Sequence, residues 1–270
     1  MFIHRNQNCI EEPVTIATDN YELYGMLYRG EGTSRAMIII CAPDGDERYW
    51  SQRLLVNTAR LLAEQGFIVL RFDYMGQGES PGNYESATIY TRMQDLNKVL
   101  EYMTRQNEGC PLGLLGVRLS AALAIKTANL ESHKVDFLVL WEPVLDIDHY
   151  FDSQLRIHTT TQMVMYKKVL RNRDQLKLDI MNGEKVSING YNLARDFYKE
   201  ALELTPKKDL ERYQGKVLSI VNKRVSSQLQ ESERLPPIKY PAFWRENKFY
   251  WEFPHALLDT TMDWFQRNQL

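Results

Sequence analysis

Pro111-Leu112-Gly113-Leu114-Leu115-Gly116-Val117-Arg118-Leu119-Ser120-Ala121-Ala122-Leu123-Ala124 is the stretch on which the reading of this chain turns. Leu112 to Leu115 is a short apolar run that reads as a buried strand. Gly116 to Ser120 is a sharp turn, and Ala121 to Ile125 opens a helix. Strand, tight turn and helix form the setting in which a G-x-S-x-G motif presents a nucleophilic serine. Here Arg118 stands at the serine position and Ser120 at the second glycine.

Outward from this elbow, apolar runs alternate with helical periodicity. Pro13 to Thr18 and Tyr21 to Tyr28, separated by the turn signal Asp19-Asn20, read as an antiparallel hairpin at a sheet edge. Ala36 to Cys41, Phe67 to Phe72, Val135 to Trp141 and Val217 to Val221 are continuous apolar runs, as expected of strands buried on both faces. Trp50 to Gln65 and Tyr90 to Arg105 carry helical periodicity; the second has Met93, Leu96, Val99, Leu100 and Met103 on one face. A loop, Ala42 to Tyr49, follows the third strand. A Gly-rich loop, Asp73 to Gly82, follows the fourth. The last strand is expected from Phe243 to about Phe253, and His255 to Gln269 as a closing helix. Alternating strands and helices imply a mostly parallel sheet with right-handed crossovers. Residues 145–213 are polar and helical, too long for a connection, and read as an inserted helical cap. The core is then 1–144 with 214–270.

The 270 residues suit one large domain with an insertion, and 44% hydrophobic with 25% charged residues is ordinary for a globule. A net charge of −2 and a pI near 6.2 exclude a global basic field of the kind that binds nucleic acid. The local basic runs Lys207-Lys208 and Arg171-Asn172-Arg173, with acids interrupting them, read as solvated faces. Cys9, Cys41 and Cys110 show neither paired nor metal-ligand spacing, which points to a reducing compartment. No signal peptide and no membrane span are legible, so the expectation is a cytoplasmic protein with no cofactor and no metal.

Arg71-Phe72-Asp73-Tyr74-Met75-Gly76-Gln77-Gly78-Glu79-Ser80, Gly116-Val117-Arg118-Leu119-Ser120-Ala121, Leu140-Trp141-Glu142-Pro143-Val144 and Ile188-Asn189-Gly190-Tyr191-Asn192-Leu193, with Phe243-Trp244, carry a family resemblance. The chain resembles α/β-hydrolase-fold proteins of the serine-aminopeptidase-like group. Within it, the chain looks most like the exosortase-system-associated hydrolases found with bacterial exopolysaccharide genes. The resemblance covers nearly the whole chain and implies an eight-stranded α/β-hydrolase sheet with a cap. The D-x-x-G-x-G-x-S loop fixes the fold; the elbow arginine and the Gly-Tyr-x-Leu of the cap are the more specific signals.

A serine hydrolase needs a nucleophile, a base and an orienting carboxylate, in that chain order in this fold. Guanidinium stays protonated and cannot attack an acyl group, so Arg118 is no nucleophile. Ser120, two residues later, is a weak substitute that should face the helix packing. Cys41, at the end of the third strand, is a candidate partner for a base. After the seventh strand, Asn222 to Ser227 holds no acid; Glu142, Asp146 or Asp148 could substitute after the sixth. His255 stands where the catalytic base normally lies, and also reads as a plain helix-start residue. His149 and His158, with Asp148 and Asp152 near, lack the ligand number of a metal site.

The elbow is also a helix N-terminus, and Arg118 turns it into a strong anion site. Its anion is either an external carboxylate, sulfate or phosphate, or an internal acid from Asp44, Asp46 or Glu47. Ser51 and Arg53 could face the same pocket, with Trp141, Tyr74, Tyr150, Phe151 and Tyr191 as walls. The leading expectation is a non-catalytic homologue that binds an anionic or acylated small molecule, or a partner. The alternative is an active ester or thioester hydrolase or acyltransferase using His255 in an atypical catalytic set. A third reading is an interaction protein, with the cap as interface in a homo-oligomer or with another protein.

Overall fold

The computed structural model describes residues 9–32, 34–130, 135–222, 224–227, 238–245 and 253–270. Its centre is an eight-stranded sheet in the order β1-β2-β4-β3-β5-β6-β9-β10. β1 (Cys9–Ala17) and β2 (Glu22–Gly30) form an antiparallel edge hairpin, and β2 pairs antiparallel with β4 (Phe67–Phe72). From there β3 (Ala36–Cys41), β5 (Leu112–Val117), β6 (Phe137–Trp141) and β9 (Lys216–Val221) continue parallel to β4. β10 (Arg224–Ser227) closes the other edge as an antiparallel partner of β9. This is the α/β-hydrolase fold.

The continuous apolar runs follow from burial on both faces. Ile38 and Ile40 of β3 point into one core cluster, Met37, Ile39 and Cys41 into the other. α1 (Gly45–Glu64) and α8 (His255–Arg267) cover the first face with Leu54, Leu55, Leu62, Leu257, Trp264 and Phe265. α2 (Ile89–Gln106) and α3 (Leu119–Ala128) cover the second with Leu96, Val99, Met103, Ala121 and Ile125. Each fully buried Leu, Ile or Phe contributes about 1.5–3 kcal/mol relative to exposure, so the two-sided sheet is the main source of stability.

One boundary differs from the expectation. α1 starts at Gly45, so Asp46, Glu47 and Arg48 are helical and not in a loop. Acids in a first helical turn sit favourably in the positive end of the helix dipole, a start signal that the apolar periodicity beginning near Leu54 does not carry. The stretch after β9, read from sequence only as lacking an acid, turns back as β10. The strand expected from Phe243 to Phe253 falls largely on 246–252, outside the described residues.

Between β6 and β9 the chain runs through α4 (Ile147–Tyr166), α5 (Arg173–Met181), α6 (Arg195–Leu202) and α7 (Pro206–Arg212). A two-stranded hairpin, β7 (Val186–Ile188) with β8 (Tyr191–Leu193), interrupts them, so this segment is not purely helical. A third core cluster joins it to the body: Phe151, Leu155, Ile188 and Phe197 pack with Ile89 of α2 and with Leu119, Ala122 and Leu123 of α3. The beginning of α3, and with it the elbow, is thereby tied to this segment.

Candidate functional site

The elbow is geometrically intact. Gly116, next to last in β5, lies so close to α3 that a Cβ there would be 2.6 Å from Ala121 Cα, so only glycine fits. Arg118 follows with φ 55° and ψ −125°, a conformation that costs a non-glycine residue about 1–3 kcal/mol. Backbone bonds hold it there: Arg118 N–H donates to Trp141 O at 3.1 Å, and Arg118 O accepts from Val144 N–H at 3.2 Å. The fold thus maintains the strained turn although no nucleophile occupies it.

The Arg118 side chain points back toward the start of α1. Its Nε and Nη2 donate to Glu47 Oε1 at 3.1 and 3.0 Å, and Nη1 donates to Glu142 O at 3.3 Å. Its guanidinium lies 5.0 Å from the Trp244 ring centre and 5.7 Å from that of Tyr150, within cation–π range. Glu47 is 4% exposed. Its carboxylate also accepts from Tyr150 Oη at 3.4 Å and Gln154 Nε2 at 3.3 Å. Burial pushes the Glu47 carboxyl above the usual range while Arg118 pulls it down. Burial, the largest influence, would lower Arg118, but the charge and hydrogen bonds of Glu47 with the other acidic groups around it together hold the guanidinium above its ordinary value. Of the three internal acids considered from sequence, Glu47 is the one on Arg118.

Asp44 and Asp46 are engaged elsewhere. Asp44 lies 2.6 Å from an Arg92 nitrogen, and accepts from Gln77 Nε2 at 2.7 Å and Tyr84 Oη at 2.8 Å. Arg92 is 2% exposed, its guanidinium 5.2, 5.8 and 5.4 Å from the rings of Tyr74, Tyr84 and Phe197. Asp46 accepts from Asn189 Nδ2 at 2.7 Å. Two buried ion pairs therefore converge on the junction between β3 and α1. Sequence reading missed Arg92. The signal was present: positions 92, 96, 99 and 103 share the apolar face of α2.

Among the described residues the catalytic candidates are engaged with other partners. Ser120 is buried, its Oγ donating to Ala42 O at 2.6 Å. Cys41 is fully buried, and burial pushes its thiol up to about 12. His255 is exposed as the first residue of α8, its N–H bonded to Phe253 O and its ring 4.8 Å from that of Phe253. Among the described residues no hydrogen bond joins His255 to Arg118, Ser120, Cys41 or Glu142. Glu142, with φ 49°, accepts at Oε1 from Asn222 N–H and from Tyr240 Oη, both at 2.7 Å. That carboxylate ties β6 to the end of β9 and to 238–245, and bonds to no histidine among the described residues.

The remaining ligand candidates are placed as follows. Ser51 is buried and donates to the carbonyls of Glu47 at 2.8 Å and Arg48 at 3.2 Å. Arg53 is exposed on α1. Trp141, expected as a pocket wall, is fully buried, with Nε1 donating to Thr261 Oγ1 at 3.1 Å. A polar cleft of about 430 Å³ lies nearby, lined by Tyr24, Arg48, Gln52, Arg71, Asp73 and Glu79. Arg48 pairs with Asp73 there, and Asp73 Oδ2 accepts from Glu79 N–H at 3.0 Å, stabilising the Gly-rich loop. No group of His, Cys, Asp and Glu among the described residues could hold a metal, and no described helix is long and apolar enough to cross a membrane.

Comparison with solved structures agrees with this architecture. The chain superposes on Est1E from Butyrivibrio proteoclasticus with bound ferulic acid at a TM-score of 0.55 and 16% identity, covering 77% of this chain and 78% of that one. The DcsB complex with its substrate analogue gives a TM-score of 0.54 at 16% identity, covering 78% and 80%. The esterase Pf2001 of Pyrococcus furiosus gives 0.50 at 13% identity, covering 77% and 68%. At these identities the likeness is one of fold. No curated protein matches the chain in sequence. Residues 50–200, more than half of the chain, match the family described as serine aminopeptidase, S33. With the elbow, the Gly-rich loop and the sheet order in agreement, the chain belongs to this family of α/β hydrolases.

Proposed function

We propose that this chain is a non-catalytic member of its family that acts by binding, with residues 145–213 as the cap over its elbow. One observation carries the reading: the nucleophile position holds Arg118, and Glu47 neutralises it from inside at 3.0 Å. A guanidinium supplies no electron pair for attack, and its donors are already taken up by Glu47. The separation of His255, Ser120 and Glu142 into unrelated hydrogen-bond sets supports the same view. The internal bridge also disfavours a small anion at the elbow, since Glu47 already takes that role, and favours a partner or an acylated molecule held against the cap.

The test is turnover by the purified chain on short and medium acyl esters, the matching thioesters and aminoacyl p-nitroanilides. The expected result is no rate above buffer and no labelling by a fluorophosphonate. Turnover that disappears in His255→Ala would replace this reading with the atypical hydrolase. The resemblance to exosortase-system-associated hydrolases supports a cytoplasmic role beside bacterial exopolysaccharide production. Gene neighbourhoods lacking such genes would argue against that assignment.

A further inference from the structure

The end of α4 and the turn after it protrude from the protein. Every residue from Met163 to Gln175 is exposed. Met163 is 47% exposed, Val164 and Met165 66%, Tyr166 54%, Val169 44% and Leu170 51%. Six large apolar side chains thus face water within eight positions, where isolated exposed apolar residues are the norm. The protrusion is built rather than frayed. Buried Gln162 brackets the turn: its Oε1 accepts from Leu170 N–H at 2.6 Å and Arg171 N–H at 2.9 Å, while Nε2 donates to Arg171 O at 3.2 Å.

Charge accompanies the apolar tip. From Ser153 to Arg173 the sequence holds Arg156, Lys167, Lys168, Arg171 and Arg173 and no acid, in a chain of net charge −2. Arg171 pairs with Asp179 at 2.8 Å and Glu184 at 3.2 Å, whereas Lys167, Lys168 and Arg173 form no ion pair among the described residues. The run 171–173, which sequence reading assigned to a solvated face, is one end of this cationic stretch.

We infer that residues 163–173 dock on an anionic phospholipid surface. Met, Val, Leu and Tyr side chains would enter the headgroup boundary while Lys167, Lys168 and Arg173 meet lipid phosphates. A second copy is a poor occupant, because a two-fold contact would oppose two positive patches. A protein partner is less suited too: lysine is depleted at protein interfaces, and here two lysines adjoin the apolar centre. The long lysine stems can lie along the apolar surface with their ammonium groups in the headgroups. This inference stands apart from the elbow and holds whether or not the chain is catalytic.

The test is flotation of the full chain with vesicles of phosphatidylcholine containing 30% phosphatidylglycerol, against pure phosphatidylcholine. Binding is expected to the anionic vesicles and to weaken with salt. Each lysine removed should weaken binding about fivefold, so Lys167→Gln with Lys168→Gln should lose about 25-fold. Val164→Trp should show a blue-shifted emission on the same vesicles. Circular dichroism checks that the variants remain folded, as expected of exposed positions. Equal flotation with both lipids, or wild-type binding by the double lysine variant, overturns the inference. So does a concentration-dependent dimer that Val164→Glu dissolves, or binding to polyglutamate without binding to vesicles.

Discussion

Glu47→Gln and Arg118→Met, separately and together, probe the elbow most directly. At 3.0 Å and an effective dielectric constant near 20, the pair's attraction is about 5 kcal/mol, set against several kcal/mol for desolvating each ion. The intact pair therefore adds little net stability, yet breaking it is costly. Glu47→Gln keeps a single acceptor oxygen, so it cannot serve Tyr150 together with Gln154 and Arg118, and it removes the charge opposite the buried guanidinium, a loss of about 3 kcal/mol. Arg118→Met leaves Glu47 unpaired in a site that already raises its pKa. The carboxyl can then take up a proton, so this variant should lose about 3 kcal/mol at pH 8 and clearly less at pH 5. The double variant should fall within about 1 kcal/mol of wild type. Urea unfolding followed by tryptophan emission gives the three differences. A cycle that closes additively, with coupling below about 0.5 kcal/mol, would mean that the pair is not a coupled unit.

Further expectations follow from the same geometry. Arg118→Ser should show no esterase activity on p-nitrophenyl acetate, because His255 is exposed and no acid among the described residues bonds to it; a His255-dependent rate would contradict the placement. Gly78→Ala should lose about 2 kcal/mol or more, since Gly78 has φ +50° and a Cβ would meet Asp73 Oδ2 at 2.0 Å; an unchanged urea midpoint would show that the loop adjusts. Asp95 accepts from Tyr21 Oη at 2.6 Å and Met75 N–H at 2.8 Å, and burial raises its carboxyl. Its folded form keeps a proton above the unfolded pKa, so its stabilisation is full below about pH 4 and fades as pH rises through the folded value. The deficit of Asp95→Asn should thus shrink from pH 4 to pH 7, and a growing deficit would reverse the sign. In the folded protein a thiol reagent should read Cys9 and Cys110 quickly and Cys41 only on denaturation; three fast thiols would place Cys41 nearer the surface.

The parallel strands and their helices were legible because apolar runs and helical spacing respond to local burial, which the sequence carries directly. The elbow was legible for the same reason: Gly116 and the small residues of α3 record a close strand-to-helix contact. Helix starts were less so. α1 opens three residues before Arg48, on acids whose helical role depends on the dipole and on Arg118 rather than on periodicity. The partner of Arg118 could be narrowed to Asp44, Asp46 or Glu47, but not to one. Asp44 is claimed by Arg92, and that claim depends on how α2 lies over β3 in space. His255 matched by position along the chain, whereas catalysis requires a position relative to the elbow, which chain order alone does not specify.

The Glu47–Arg118 pair also bears on how such a sequence can change over time. A return to serine at position 118 first strands Glu47, and a prior change at 47 strands Arg118; either step costs about 3–5 kcal/mol in proteins stable by about 5–15 kcal/mol. Neither intermediate gains a working triad in exchange. A lineage that has acquired both residues is held by them, much as a ratchet holds a wheel, and further change is directed toward surfaces other than the elbow.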